Sequence, residues 1–361
     1  MTFSILKLGR VGLAPILGVS LLGACSLDFA TDGVEKQIDD AQDEIDKAVD
    51  EAANVEICDG MTFQELMDAQ TITEDCKDQL QSYLPEPEDN FQGRLLIAGQ
   101  TENEDGSLSV FVFGADEDGS ALSATELAQL SVTVTLDGEA TPLEEDQFEI
   151  VANADLTGDL LSVGFVNDYS GSMSDPDLEV TAEIESDLIS VLPNIFEGEV
   201  TMFSTVVEKR LAFSEDRMKV LAAVAYDSDF TRELTALYDG MGTGLTSLIE
   251  RERPMRLLVV ATDGQENESK TYVKSQLVEL LEENNVCVLM LGSLFSDPSE
   301  LKDLTGTCGV YFYTRGYGEL KSTVEAYVES LAALTEVRIP AESWAGAKVE
   351  LSWGELSAEL K

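Results

Sequence analysis

From residue 159 onward the hydrophobic pattern switches repeatedly between two periods. Short continuous apolar runs occupy 160–166, 200–204, 257–261, 286–291 and 309–313. Runs of this length read as strands buried on both faces. Between them lie helical patterns near 176–192, 216–225, 235–250, 271–283, 297–304 and 318–334, as in the spacing of Val180, Ile184 and Leu188. Such alternation predicts a doubly wound α/β fold, a mostly parallel sheet with helices on both faces. Val206 to Phe213 adds a short edge strand.

Upstream the period is two. Leu108 to Phe113 is β-rich, Val132, Val134 and Leu136 alternate with threonines, and Phe148 and Ile150 suggest a further strand. Glu104-Asp105-Gly106, Asp118-Gly119 and Asp137-Gly138 are turn signals between them. A small antiparallel β domain over 89–157 follows, sandwich-like. The acidic stretch Asp116 to Gly119 reads as an Asp-Gly turn, since no Glu stands at EF-hand spacing. Further upstream, Val34, Ile38, Ala41, Ile45, Ala48 and Ala52 form a heptad seam, half of it alanine, suited to packing on a partner helix. A second helical stretch runs from Thr62 to Tyr83, and Pro85 and Pro87 mark a linker. Thus 25–88 is a tether and helical segment, 158–336 the α/β domain, and 337–361 a C-terminal extension. Val349, Leu351 and Trp353 fall there at strand spacing, and it is expected to pack back on one of the domains.

Composition narrows the chemistry. Seventy acidic residues against 22 basic ones give a formal charge of −48 in 361 residues. Nucleic acid is excluded as a partner, because its binding rests on basic neutralisation of phosphates. The excess suits an acidic proteome in a salty medium, where screening is short-ranged. There is no histidine, which removes imidazole bases, His-ligated zinc and histidine triads.

The first 24 residues read as an export signal: Lys7 and Arg10 precede an apolar stretch, Val11 to Ala24, too short to remain a membrane-spanning helix. Leu22-Gly23-Ala24-Cys25 resembles the lipobox of bacterial lipoproteins. The resemblance implies cleavage before Cys25 and its lipidation (palmitate among the acyl chains), hence a cell-envelope location. Ser26, where inner-membrane retention commonly uses Asp, points to the Gram-negative outer membrane. Cys58, Cys76, Cys287 and Cys308 remain, an even number that suggests two disulfides in an exported chain. Three pairings are open, and proximity favours Cys58–Cys76 and Cys287–Cys308.

The candidate chemistry lies where strand 160–166 ends. Asp168 is followed by Ser170, Ser172 and Ser174 on the loop before the next helix. Ligand sites of open α/β sheets form at such ends, and a carboxylate with neutral hydroxyls suits a hard cation. Thr235 stands at a later helix start, and Asp263 closes the buried run Leu257 to Ala261. The three segments together resemble a von Willebrand factor A domain, over about residues 158–335. Its metal-ion-dependent adhesion site uses Asp-x-Ser-x-Ser, a distant Thr and a distant Asp, matched here by Asp168, Ser170, Ser172, Thr235 and Asp263. One departure is Glu233-Leu234, where the family often has Gly-Gly. The resemblance implies a bound magnesium, with calcium or manganese as alternatives, and a protein ligand that offers an Asp or Glu carboxylate to the metal. Asp175, Glu266 and Glu268 read as solvated acids nearby. The same fold puts Cys287 and Cys308 at the starts of adjacent parallel strands, far from the metal.

Three functions are therefore weighed. The favoured one is a lipid-anchored envelope protein that binds a protein partner through the cation. The alternative is an envelope scaffold with an idle or purely structural metal site. A magnesium-dependent phosphatase on a similar sheet would carry Asp-x-Asp, but Ser170 holds the second position and no activated nucleophile is visible. No catalytic residue is assigned, and the chain is expected not to be an enzyme.

Overall fold

The computed structural model describes residues 91–361 apart from 137–138, 153–154, 157–158, 194–195, 264–265, 293–297, 307, 315–316, 341–347 and 360–361, together with the backbone of three short strands upstream. Two of these, β1 (Glu56–Cys58) and β2 (Met61–Thr62), pair antiparallel in a unit that spans Met1–Glu86. The export signal, Cys25, Cys76 and the helical stretches expected over 34–52 and 62–83 otherwise lie outside the described residues.

Pro87–Lys361 forms a second unit. It opens with β3 (Glu88–Asp89), β4 (Arg94–Glu102), β5 (Leu108–Ala115), α1 (Ala124–Leu127), β6 (Ser131–Leu136), β7 (Glu139–Pro142) and β8 (Glu149–Ala152). Alternation then sets in with β9 (Leu161–Asp168), α2 (Asp175–Val191), β10 (Phe196–Phe203), β11 (Val207–Ser214), α3 (Arg217–Val224), α4 (Leu237–Ile249) and β12 (Met255–Thr262). It continues through α5 (Lys274–Asn284), β13 (Cys287–Gly292), α6 (Pro298–Asp303), β14 (Val310–Tyr313), α7 (Tyr317–Thr323) and α8 (Glu325–Ala332). Three strands follow, β15 (Thr335–Ile339), β16 (Lys348–Trp353) and β17 (Leu356–Glu359).

The main sheet runs β11-β10-β9-β12-β13-β14-β3. The five inner strands are parallel, and β11 and β3 are antiparallel edges. Strand β9 explains the two-sided cover. Its residues Leu161, Val163 and Phe165 join one buried cluster with Ile184 and Leu188 of α2. Its Val166 joins another with Met241 and Leu245 of α4. Both faces are therefore apolar, and the continuous hydrophobic run follows from that. The chain leaves β9 toward β10 and returns to β12 on the other side, so the sheet order reverses between β9 and β12. A crevice opens there at the carboxyl edge.

Strands outside the alternation build a sandwich. One layer is β4-β5-β15-β8, the other β17-β16-β6-β7. Val110, Val112, Val132, Val134, Val337 and Val349 fill the space between them. The segment read as a C-terminal extension begins inside β15 and supplies strands to both layers. The whole α/β stretch thus lies in the chain between β8 and β15, which pair with each other. The first of these layers is continuous with the main sheet, joined where Gly99 of β4 opposes Met255 of β12. A Cβ at Gly99 would stand 2.1 Å from the Pro254 carbonyl oxygen, so only glycine permits this junction.

Cys287 and Cys308 are joined in a disulfide 21 residues apart, at the edge where β13 and β14 begin. Cys58 lies in β1, and its pairing with Cys76 falls outside the described residues. Closing a loop of this length restricts the unfolded chain by about 3 kcal/mol. The double variant Cys287→Ala/Cys308→Ala is expected to lose roughly that much stability in urea unfolding, and an unchanged midpoint would remove the bridge from the account.

Candidate functional site

Four elements converge at the carboxyl edge: the β9–α2 loop, the end of β10, the segment leading into α4, and the loop after β12. Helix α2 sets the first loop. Ser174 caps it, its hydroxyl accepting from the Asp177 N–H while Asp177 accepts from the Ser174 N–H and hydroxyl. This reciprocal capping, with acids in the first turn, satisfies donors the helix leaves open. Ser174 is therefore part of the helix start and not of the site.

Asp168 is fully buried. Its Oδ1 accepts the Ser170 N–H at 2.7 Å, and its Oδ2 accepts the Thr262 hydroxyl at 2.6 Å. Burial pushes its carboxyl up to about 6, the Thr262 and Ser170 bonds pull it back, and the nearby Glu266 charge raises it. The hydroxyls of Ser170 and Ser172 stand 3.0 Å apart, and Ser172 donates to Asp263 Oδ1 at 2.8 Å. Asp168, Ser170, Ser172 and Asp263 thus meet in one group. Ser170 and Asp263 are buried and Ser172 is half-exposed, which leaves the group open on its Ser172 side.

Thr235 is buried on the neighbouring segment and is tied to the group through backbone. Gly171 N–H donates to the Glu233 carbonyl at 2.8 Å, and Ala236 N–H donates to the Ser204 carbonyl at 2.9 Å. Arg232 pins the same segment from outside, with an ion pair to Asp175 at 2.6 Å and a hydrogen bond to the Tyr226 hydroxyl. Tyr169 holds it from within, accepting the Asp227 N–H at its hydroxyl and packing on Phe230. Helix α4 can descend onto the sheet because Gly240 faces Phe203, where a Cβ would meet the ring at 2.7 Å. That approach brings Thr235 to the strand ends.

The loop after β12 is organised by two acids, Glu266, which its sequence context placed in solvent, and Asp239. Glu266 accepts the N–H groups of Glu268, Ser269 and Tyr238. Asp239 accepts those of Lys270, Thr271 and Tyr272. Glu266 is therefore a clamp between the Asp263 loop and α4, a correction that spacing alone does not reveal. Asp175 is mostly exposed, and Glu268 is paired with Lys270.

The donor set suits a hard divalent cation. No group of three or more Asp, Glu or Cys ligands occurs among the described residues, so hydroxyls must complete any shell built on Asp168 and Asp263. Ser172 gives its proton to Asp263, so in the 3.0 Å contact it accepts from Ser170 and keeps one lone pair for a cation. A nearby positive charge would also relieve the buried Asp168 carboxylate. Of the five residues expected to hold such an ion, Asp168, Ser170, Ser172 and Asp263 are brought together here, and Thr235 stands on the neighbouring segment, tied in through backbone bonds.

Beneath the site Asn167 donates to Glu185 Oε2 at 2.9 Å, both residues being buried. Asn167 Oδ1 and Glu185 Oε1 have no hydrogen-bond partner. Burial pushes the Glu185 carboxyl up to about 8, against the Asn167 bond. The acid is thus neutral below that pH, and a neutral acid is the form a buried, half-partnered site tolerates.

Residues 162–326 match the family model described as von Willebrand factor type A domain. No curated protein matches the chain by sequence. Among solved structures, the chain is similar to proximal thread matrix protein 1 from the mussel byssus with a zinc-occupied MIDAS motif, at 20% identity and TM-score 0.44, over 55% of this chain and 50% of that one. It is similar to the conserved hypothetical protein BatB from Bacteroides thetaiotaomicron at 15% identity and TM-score 0.40, over 48% of this chain and 98% of that one. A von Willebrand factor type A structure from Catenulispora acidiphila aligns at 13% identity and TM-score 0.40, over 59% of this chain and 71% of that one. The chain spans about half the length of the mussel protein.

The Glu185 shift has a pH consequence. The folded state holds this proton more tightly than the unfolded chain, whose value is near 4.5. Its stabilising effect is complete below that value and is lost as pH rises toward about 8. Asp168 acts in the same sense, from 3.8 to about 6. Thermal melts in chelator should therefore fall between pH 6 and 8, and Glu185→Gln should flatten that decline by more than about 2 °C. Parallel profiles would show that Glu185 does not titrate in this window.

Proposed function

We propose that residues 162–326 form a von Willebrand factor A-type module that binds a protein partner through a divalent cation, in a lipid-anchored envelope protein. The observation that carries this reading is the hydrogen-bonded group of Asp168, Ser170, Ser172 and Asp263 at the switch point between β9 and β12. Thr235 is the fifth ligand of the set, and the match of residues 162–326 to the family model supports the assignment. Magnesium is the expected ion, since it accepts neutral oxygen donors and keeps exchangeable waters; calcium and manganese fit the same donors.

A divalent ion there would supply an electrophilic position for one outside oxygen. The chain's part is to keep that position available. Two carboxylates balance the ion's charge without exceeding it, and Thr262 fixes the orientation of the inner one. The hydroxyls add lone pairs and no charge. A partner Asp or Glu is the natural occupant. The charge of −48 opposes an acidic partner at range, but salt confines that repulsion to about 10 Å at 0.1 M. Capture then depends on close contact and not on steering. The lipobox-like Leu22 to Cys25 supports an envelope location, and Ser26 an outer-membrane one.

The test is a pull-down from envelope extract with the full chain as bait, in magnesium and in chelator. Capture should be metal-dependent and should fall to background in Asp168→Ala and Asp263→Ala. Asp168→Ala should remain folded, with an unchanged far-ultraviolet circular dichroism spectrum, although Thr262 and the Ser170 N–H lose their acceptor. Equal capture in chelator would contradict metal-mediated binding and favour the scaffold reading.

A further inference from the structure

Thr235 is gripped from both sides by a residue outside the expected ligand set. Asn267 Oδ1 accepts the Thr235 N–H at 2.9 Å. The Asn267 N–H donates to the Thr235 carbonyl at 3.1 Å. The two bonds close a ring between the loop of Asp263 and the segment that enters α4. Donor and acceptor of Thr235's own backbone are both fixed, and so is the direction of its Cα–Cβ bond. A β-branched side chain has few χ1 positions left once the backbone is set. The hydroxyl is thereby oriented without touching Asn267.

The need for such a grip is visible in the sequence. Residues 225–236 contain no glycine, and Glu233-Leu234 precede Thr235. The backbone there must be held in place by bonds from outside. Asn267 is itself exposed while Thr235 is 4% exposed. No core packing therefore demands an asparagine at 267; its visible contribution is the ring. We propose that Asn267 is a positioning residue for cation binding, acting by setting the direction of the Thr235 hydroxyl. The inference rests on the metal-site reading above.

Calorimetric titration of the chelator-stripped full chain with Mn²⁺ tests it. Asn267→Ala is expected to weaken Mn²⁺ binding about 10- to 100-fold, the usual effect of losing a group that orients a ligand. Asn267→Gln, which moves the acceptor out by one methylene, should do the same and serves if the alanine variant folds poorly. Asn267→Asp keeps the acceptor and should bind at least as tightly as wild type. In a Thr235→Ala background, Asn267→Ala should add no further loss, because it acts through Thr235. Wild-type affinity in Asn267→Ala and Asn267→Gln, or losses that multiply in the double variant, would overturn the positioning role while leaving the metal site intact. A wild-type chain that takes up no Mn²⁺ would overturn the metal reading and this inference with it.

Discussion

Everything at the carboxyl edge answers to one constraint, a carboxylate with no solvent access at the end of a buried strand. Asp168 is 0% exposed. An ionised group there is costly unless its charge is met by hydrogen bonds or by an opposite charge. Thr262 and the Ser170 amide meet part of it. What remains is a demand for positive charge, and the surrounding hydroxyls leave lone pairs where a cation could satisfy it. The same constraint explains why the loops are bonded so densely. A loose loop would admit water and relax the demand; here the first, second and third segments are tied by Gly171 to Glu233, Asn267 to Thr235, and Ser172 to Asp263.

The fold supports this edge from both faces. Strand β9 is buried on either side, so its last residue is fixed by the sheet and not by the loop. Helix α4 reaches the sheet through Gly240 against Phe203, at a helix-propensity cost of about 1 kcal/mol. On the far side of β12, the Gly99 junction carries the main sheet into the sandwich. The α/β layer enters the chain after β8 and leaves it at β15, so the strands that flank it close on each other. Its two ends are thus held by one antiparallel pair.

Much of the fold is legible in the sequence because it follows from short-range patterns. Buried runs such as Leu257 to Ala261 and periodic stretches such as Val180 to Leu188 depend only on neighbouring residues, and they suffice for a parallel sheet covered by helices. The place of residues 335–359 is not legible in this way, since β15 and β16 pair with strands some 200 residues earlier in the chain. At the site, Asp168, Ser170, Ser172 and Asp263 announce themselves by standing where apolar runs stop. Thr262, Asn267 and Glu266 do not. Each works through a backbone amide or a second side chain whose position exists only once the loops are folded. Glu266 shows the limit well: an acid in an acidic chain reads as solvated, yet it accepts three backbone N–H groups. The Asn167–Glu185 pair is hidden for a similar reason, because nothing in the spacing from 167 to 185 says that a strand and a helix bury them together.

Whether this edge takes up a hard cation is measured most directly by thermal unfolding in graded magnesium. The chelator-stripped protein is compared with its Asp168→Ala/Asp263→Ala variant, at constant ionic strength so that general screening of the −48 charge cancels. A site that binds only the folded state should raise the wild-type midpoint steadily, by about 2.7 kcal/mol of stability at a hundredfold excess over the dissociation constant, with no rise in the variant. Superimposable curves for the two proteins at every magnesium concentration would contradict it.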